Sequence, residues 1–507
     1  MQSFFHWFRS QGLVLAQPWL IFGKGPSFAR RKEFDLSGYK TVALNHAVRE
    51  QPVDVAHLID LDVLHDCARE IEANARFVVM PWIPHVNCAV GDKTLGNLVR
   101  DDSALRRLSE SGRLLWYNFG TAKSPNGEEP VVPAGWFSAE AVLNLLAMAG
   151  VRRVRSLGVD GGISYSSEFD DLADKTLLAN GHESFDRQFA NIARTIATTG
   201  IDFAPLDVES PVRVYVGSLQ DQMLSVAVLD YSIRRHASMS VQLYPLWQAP
   251  LAIPTPRDPE KRPRTPFSFQ RFLIPELAGY RGHAIYLDSD MLVLQDIRGL
   301  WTQTFSDADL LAACSKPGST DRRPQFSVML MDCEALRWDI RKIVEALDTG
   351  TLTYEQLMFE MAIAKRARAD ISHHWNSLER FEPGRTALLH YTEMPTQPWV
   401  SCENPLGELW IAYLFAALDD RFIALDFVKE HVERGWVRPS LLYQIEHRIG
   451  DASKLPPEAR AMDDSFLAPF RSMRPETAAS PTNGMDASKG SILARAGKNI
   501  RSMFGRS

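Results

Sequence analysis

Short apolar runs recur along the chain with room for a helix between most of them. Trp19–Phe22, Thr41–Leu44, Ala56–Ile59, Phe77–Met80, Leu114–Tyr117 and Val154–Gly158 are four or five residues long. Their length and hydrophobicity suit strands buried on both faces. Helical patterns separate several of them, as at Asp62–Ala73 and Ser138–Ala149. Such alternation predicts an α/β fold, a mostly parallel sheet with helices on both sides. A helical stretch, Asp186–Thr199, and an apolar one, Ile201–Ala204, close this series, and Asp207–Pro211 reads as a boundary. A second series starts with a strand at Val212–Val216, a helix at Met223–Arg235 and a strand at Val241–Tyr244. Pro250–Pro266 is dense in proline and charge and predicts a mobile loop. The reading is therefore two α/β domains, 1–208 and 211–440, with an extension over 441–507.

Composition narrows the class. A chain of 507 residues is too long for one core, and 45% hydrophobic with 23% charged residues is ordinary for a globular protein. A net charge of −6 argues against a broadly basic nucleic-acid binder. The five cysteines, at 67, 88, 314, 333 and 402, are scattered and lack metal-site spacing. Reduced thiols and a cytoplasmic location are expected. No apolar run reaches the roughly 18 residues that span a bilayer, and the start lacks a signal-peptide core. From about 476 to 490 the composition predicts disorder. In the segment that follows, Ile492, Leu493, Ala496, Ile500, Met503 and Phe504 recur at helical spacing with Arg495, Lys498 and Arg501 between them. A helix over 491–504 would suit peripheral contact with an anionic membrane; a frayed tail or a helix docked on a partner are the alternatives.

The strongest chemical signal is Asp288-Ser289-Asp290, in the apolar run His283–Leu294. In extended chain, residues two apart point the same way, so both carboxylates can bracket one hard divalent cation. The plain alternative is two surface acids at a strand-to-turn junction. Three further segments surround the pair in sequence: Phe269–Pro275, Phe326–Asp332 and Leu388–Trp399. Taken in order, these resemble the family 8 glycosyltransferases over roughly 213–415. The resemblance implies a GT-A-type, metal-dependent fold that transfers a sugar from a nucleoside-diphosphate donor with retention of configuration. It implies Mn²⁺ or Mg²⁺ on Asp288, Asp290 and His390, and Arg271, Ser327, Glu355 and Gln397 near the donor. Gln356 would face the anomeric carbon. Two positions depart from the pattern: Gln397 stands where the family usually carries Lys, and Glu355 replaces Asp.

The first series ends its opening strand in Phe22-Gly-Lys-Gly-Pro-Ser27. Glycines there let backbone approach phosphate, whose oxygens N–H groups can cradle. With Thr41–His46, Pro133–Gly135, Leu157–Tyr165 and Asn180–Glu183, the order is similar to the family 42 bacterial sialyltransferases over about 17–207. That resemblance implies a Rossmann-like domain, nucleotide-binding like the second, with a CMP-sugar on Gly23, Lys24, Gly25, Asn45 and Tyr165 and His182 as general base. Lys24 replaces the usual Asn, and Gly161 or Gly162 replaces a tyrosine. The expected function is a glycosyltransferase of surface polysaccharide or lipopolysaccharide assembly, using a UDP-sugar and a glycan acceptor. It is either bifunctional or active in the second domain only; a glycan-binding scaffold with decayed sites is the reading from another class.

Overall fold

The computed structural model describes residues 1–11, 17–120, 126–172, 183–265, 267–314 and 326–469. His182 and the segment 491–504 lie outside them. The fold is α/β, and the chain divides into two compact units. Unit 1 is Met1–Pro211 with Ala237–Ser240, and unit 2 is Val212–His236 with the chain from Val241 onward.

Unit 1 is built on eight strands: β1 (Gln2–Ser3), β2 (Trp19–Phe22), β3 (Lys40–Leu44), β4 (Val53–His57), β5 (Ala75–Pro81), β6 (Leu114–Phe119), β7 (Arg153–Leu157) and β8 (Asp202–Pro205). All pair parallel, in the order β1-β6-β5-β4-β3-β2-β7-β8, and Val131–Val132 adds a short ninth strand on β6. Helices α1 (Phe4–Ser10), α2 (Ser138–Met148) and α3 (Gln188–Thr199) belong to this unit. The chain runs outward from β2 in one direction and returns to its other side with β7, so the order reverses between β2 and β7.

The first residues carry more structure than their pattern suggests. Ser3 caps α1 through the His6 N–H, and Phe4, Phe5, Trp7 and Phe8 are all buried in the unit 1 core. Each buried Phe contributes about 2–3 kcal/mol. The helical pattern of Asp62–Ala73 splits into Leu61–Asp66 and Ala68–Asn74, because Cys67 leaves helical backbone (φ −114°, ψ 19°).

Unit 2 has a six-stranded mixed sheet. Its strands are β9 (Val212–Gly217), β10 (Val241–Pro245), β11 (His283–Asp288), β13 (Leu310–Ala313), β14 (Val328–Asp332) and β15 (Ala367–Ile371). Their order is β10-β9-β11-β14-β13-β15. A separate three-stranded sheet joins β12 (Met291–Val293) to β16 (Leu388–His390) and to Ser377–Leu378. Helix α4 (Met223–His236) and helix α5 (Gly407–Asp419) share a core with β12 and β16, and Leu441 and Ile445 pack into the same cluster. The stretch read as a mobile loop is irregular but pinned. The Arg257 N–H donates to Asp348 Oδ1 at 2.8 Å and Lys261 Nζ to the Leu347 carbonyl at 2.6 Å. No described helix is long and apolar enough to cross a membrane.

Candidate functional site

The Asp-x-Asp pair sits where the two sheets of unit 2 meet in sequence. Asp288 is the last residue of β11, Ser289 is buried, and Asp290 leads into β12. Antiparallel pairing then sets His390 opposite Met291, one residue past Asp290. The Tyr391 N–H donates to the Asp290 carbonyl at 2.8 Å, which fixes that register. As a result one ligand atom each from Asp288, Asp290 and His390 lie within 4.8 Å of one another. Among the described residues no other three such groups converge.

Each member is oriented by a neighbour. The Tyr286 hydroxyl donates to Asp288 Oδ1 at 2.6 Å. Room for that phenol comes from Gly217, where a Cβ would stand 2.3 Å from the hydroxyl. Arg271, itself buried, places Nη2 3.7 Å from Asp288 Oδ1, donates to the Phe326 carbonyl and stacks over the Tyr286 ring. Gln397 Nε2 donates to Asp290 Oδ2 at 3.0 Å and to the Tyr391 carbonyl at 2.9 Å. His390 Nδ1 lies 2.9 Å from Asn376 Oδ1. That amide oxygen can only accept, so Nδ1 carries the proton and Nε2 faces the carboxylates. Nε2 is 3.0 Å from Asp290 Oδ1, yet that buried oxygen has no partner in hydrogen-bond geometry. Both atoms would serve as ligands of one divalent cation.

The electrostatics agree. Burial pushes the Asp288 carboxyl above its usual range, partly offset by Arg271. Burial also disfavours charge on the His390 ring, but Asp290 and then Asp288 outweigh it and hold its pKa above normal. Carboxylates and one imidazole with its second nitrogen anchored are a donor set that fits Mn²⁺ or Mg²⁺.

The remaining residues expected near the donor behave differently. Gln356 Oε1 accepts from the Thr353 N–H at 3.0 Å while the Gln356 N–H donates back to Thr353 Oγ1 at 3.1 Å. This is a reciprocal cap on the helical turn Tyr354–Met358, so the Gln356 carbonyl is already engaged. Glu355 is exposed on the same turn. Ser327 is buried beside Phe326, whose carbonyl Arg271 holds.

Unit 1 places its expected residues together as well. Gly23, Lys24, Gly25, Asn45 and Tyr165 line one cleft of about 630 Å³ at the carboxyl ends of the strands, where the strand order reverses. The glycines serve backbone packing there. A Cβ on Gly23 would meet the Gly158 carbonyl oxygen at 2.2 Å. The Gly23 and Gly25 N–H groups donate to the Leu157 and Gly158 carbonyls at 2.8 and 2.9 Å. They therefore join the ends of β2 and β7, and an anion cradle made of these two amides is not what the loop forms. Asp160 accepts from both the Ser27 N–H and hydroxyl and completes the crossing. Lys24 Nζ lies 4.5 Å over the Tyr165 ring, and burial lowers its pKa to about 8.

No protein-family model matches the chain. It is similar to Protein CDI of Arabidopsis thaliana, 35% identical over 94 residues, which covers 18% of this chain and 36% of that protein. Thus it matches only about a third of that relative's length. Among solved structures it is similar to the galactosyltransferase LgtC in complex with donor and acceptor sugar analogs, at 16% identity over 40% of this chain and 95% of that one, TM-score 0.29. It is also similar to the glycosyltransferase GlyE of Streptococcus pneumoniae TIGR4, at 18% identity over 40% and 60%, TM-score 0.31. The bifunctional glycosyltransferase WbbM is a third, at 12% identity over 53% and 64%, TM-score 0.31. At these identities and scores the functional reading rests on the site's own geometry.

Proposed function

We propose that unit 2 is a retaining hexosyltransferase that moves a sugar from a UDP-sugar to a glycan hydroxyl in surface polysaccharide or lipopolysaccharide assembly. The carrying observation is the convergence of Asp288, Asp290 and His390 within 4.8 Å, with His390 held by Asn376. A bound Mn²⁺ or Mg²⁺ would supply Lewis-acid charge to a departing diphosphate. Asp288 and Asp290 offer it oxygens, His390 offers Nε2, Gln397 aims the Asp290 carboxylate, and Asn376 fixes the ring. Arg271 adds a buried guanidinium beside Asp288, where phosphate oxygens would gather. For Gln356 to face the anomeric carbon its bond to Thr353 must open. A second active site, CMP-sugar transfer in unit 1 with His182 as base, would need an anion site that the Gly23 and Gly25 amides do not offer. Cytoplasmic location with membrane contact through 491–504 belongs to the same reading.

Titration of UDP into the full chain tests it. Affinity should rise on adding Mn²⁺, and Asp290→Asn should remove that gain while the melting temperature without metal stays unchanged. Equal UDP affinity with and without Mn²⁺ in the parent protein overturns the assignment.

A further inference from the structure

The unit 1 cleft has a hydrogen-bonding character opposite to that of an anion site. Its charged lining is one lysine, Lys24, against four aspartates, Asp60, Asp62, Asp66 and Asp160. Asp160 is committed to Ser27. Among the described residues Asp60, Asp62 and Asp66 have one such partner each, fewer than the about four hydrogen bonds a carboxylate can accept. Asp60 accepts from the Cys88 N–H, Asp62 from the Asn87 N–H, and Asp66 lies 3.4 Å from His46 Nε2.

Two further acceptors are buried without a partner among the described residues. Asn45, in left-handed backbone at φ 51°, donates its amide to Ser138 Oγ, and its Oδ1 has none. His46 is 2% exposed and lines the cleft. With its proton on Nε2 toward Asp66, Nδ1 presents a lone pair, and Nδ1 is likewise unpartnered. Burial and Lys24 lower its pKa to about 4, so the ring is neutral. Atoms of this kind call for a ligand that donates. Phosphate oxygens only accept and would face carboxylates. A cation is disfavoured too, since no three ligating side chains converge here among the described residues.

Part of the lining is aromatic. Trp136 is 50% exposed, on a loop whose N–H groups from Gly135 to Phe137 are all held by the buried Glu140 carboxylate. Phe137 packs on Phe185 at 5.2 Å, and Phe185 stacks on Tyr165 at 5.8 Å. A half-exposed indole in the same lining as these acceptors, with the Arg187 guanidinium 5.6 Å over its ring, fits a ligand with apolar C–H faces and hydroxyl edges. The cleft volume falls within the range of about 300–1,000 Å³ for small-ligand sites.

We propose that the unit 1 cleft binds a neutral glycan, its hydroxyls donating to Asn45, His46 and the aspartates and one ring stacked on Trp136, and that it does not take an anionic nucleotide. That this glycan is the acceptor rests on the transfer proposed for unit 2; the binding itself does not.

The test is binding of the full chain to arrayed neutral oligosaccharides (chitotetraose, maltoheptaose, mannan and galactan fragments), followed by titration of any hit. It is run in EDTA without nucleotide sugar, so a failed metal assignment in unit 2 cannot affect it. At least one neutral oligosaccharide should bind. Trp136→Ala should weaken it about tenfold, as loss of one stacking face implies, and Trp136→Phe should restore most of it. Asp62→Asn should weaken it without changing the melting temperature. The proposal is overturned if no neutral oligosaccharide binds, or if binding ignores both Trp136→Ala and Asp62→Asn. Tighter binding of CMP, cytidine or inorganic phosphate, sensitive to Trp136→Ala, overturns it equally.

Discussion

Both units place polar side chains where a strand ends beside a reversal of strand order, yet they fill that place with different chemistry. In unit 2 the end of β11 gathers two carboxylates and an imidazole into a space one ion could fill. In unit 1 the ends of β2 and β7 are tied to each other through Gly23, Gly25 and Gly158. The polar groups stand around a wide cleft without converging. The topology supplies a crevice in each case, and the side chains decide what it can hold.

The comparison breaks if the units do not act independently. Glu140 gives the largest expected effect. Its fully buried carboxylate accepts from the Gly135, Trp136 and Phe137 N–H groups and from Asn191. Glu140→Ala should destabilise unit 1 by about 3 kcal/mol, as expected for losing several bonds to a charged group. Calorimetry should show one transition falling while the Mn²⁺ dependence of UDP binding is retained. Loss of both together would mean the two units fold as one.

Next comes the metal centre. His390→Ala removes one of three ligands and should weaken Mn²⁺ binding by at least about 100-fold, more than an outer-shell change. Asn376→Ala and Gln397→Ala leave the ligands in place but free the His390 ring and the Asp290 carboxylate. Each should cost about 10–100-fold in Mn²⁺ affinity, read by isothermal titration. If Gln397→Ala matches the parent, the 3.0 Å bond to Asp290 does not orient the ligand.

How much of this was legible depends on range along the chain. Most strands were, because a buried parallel strand writes itself as an uninterrupted apolar run. So was the Asp288–Asp290 pair, because period-two spacing is local. Thr353-Tyr-Glu-Gln356 is also legible as a helix cap, and that local motif competes with a role for Gln356 at the anomeric carbon. The partnerships of Asn376 and Gln397 were not legible, since they form across 14 and 107 residues. Nor was the N-terminal helix. Phe4, Phe5, Trp7 and Phe8 look like a bare aromatic cluster until β1 pairs with β6 over a hundred residues away. Nor is it legible that the glycines after β2 join β7 instead of facing phosphate, because sequence does not reveal that Gly158 occupies the space beside them.

The smallest prediction sharpens the contrast with one residue type. His57 in β4 and His390 in β16 are both buried, but their pKa values move in opposite directions. His390 has two carboxylates beside it and is held above normal. Among the described residues His57 has the Tyr117 hydroxyl at 2.9 Å as its side-chain partner, and burial lowers its pKa to about 3. Between about 6.5, the unfolded value, and about 3, the unfolded chain binds a proton that the folded one does not. The stability of unit 1 is therefore complete above pH 6.5 with respect to this group and is lost as pH falls, by up to about 1.4 kcal/mol per unit. His57→Phe removes that dependence while leaving the Tyr117 hydroxyl unpaired. The variant should be less stable than the parent at pH 7.5 by about 1 kcal/mol. By pH 5 it should recover about 1–2 kcal/mol relative to the parent. The readout is urea unfolding across that window, followed on the transition that Glu140→Ala shifts. A parent-to-variant difference that stays flat with pH would mean that His57 charges freely in the fold, and that burial alone does not separate it from His390.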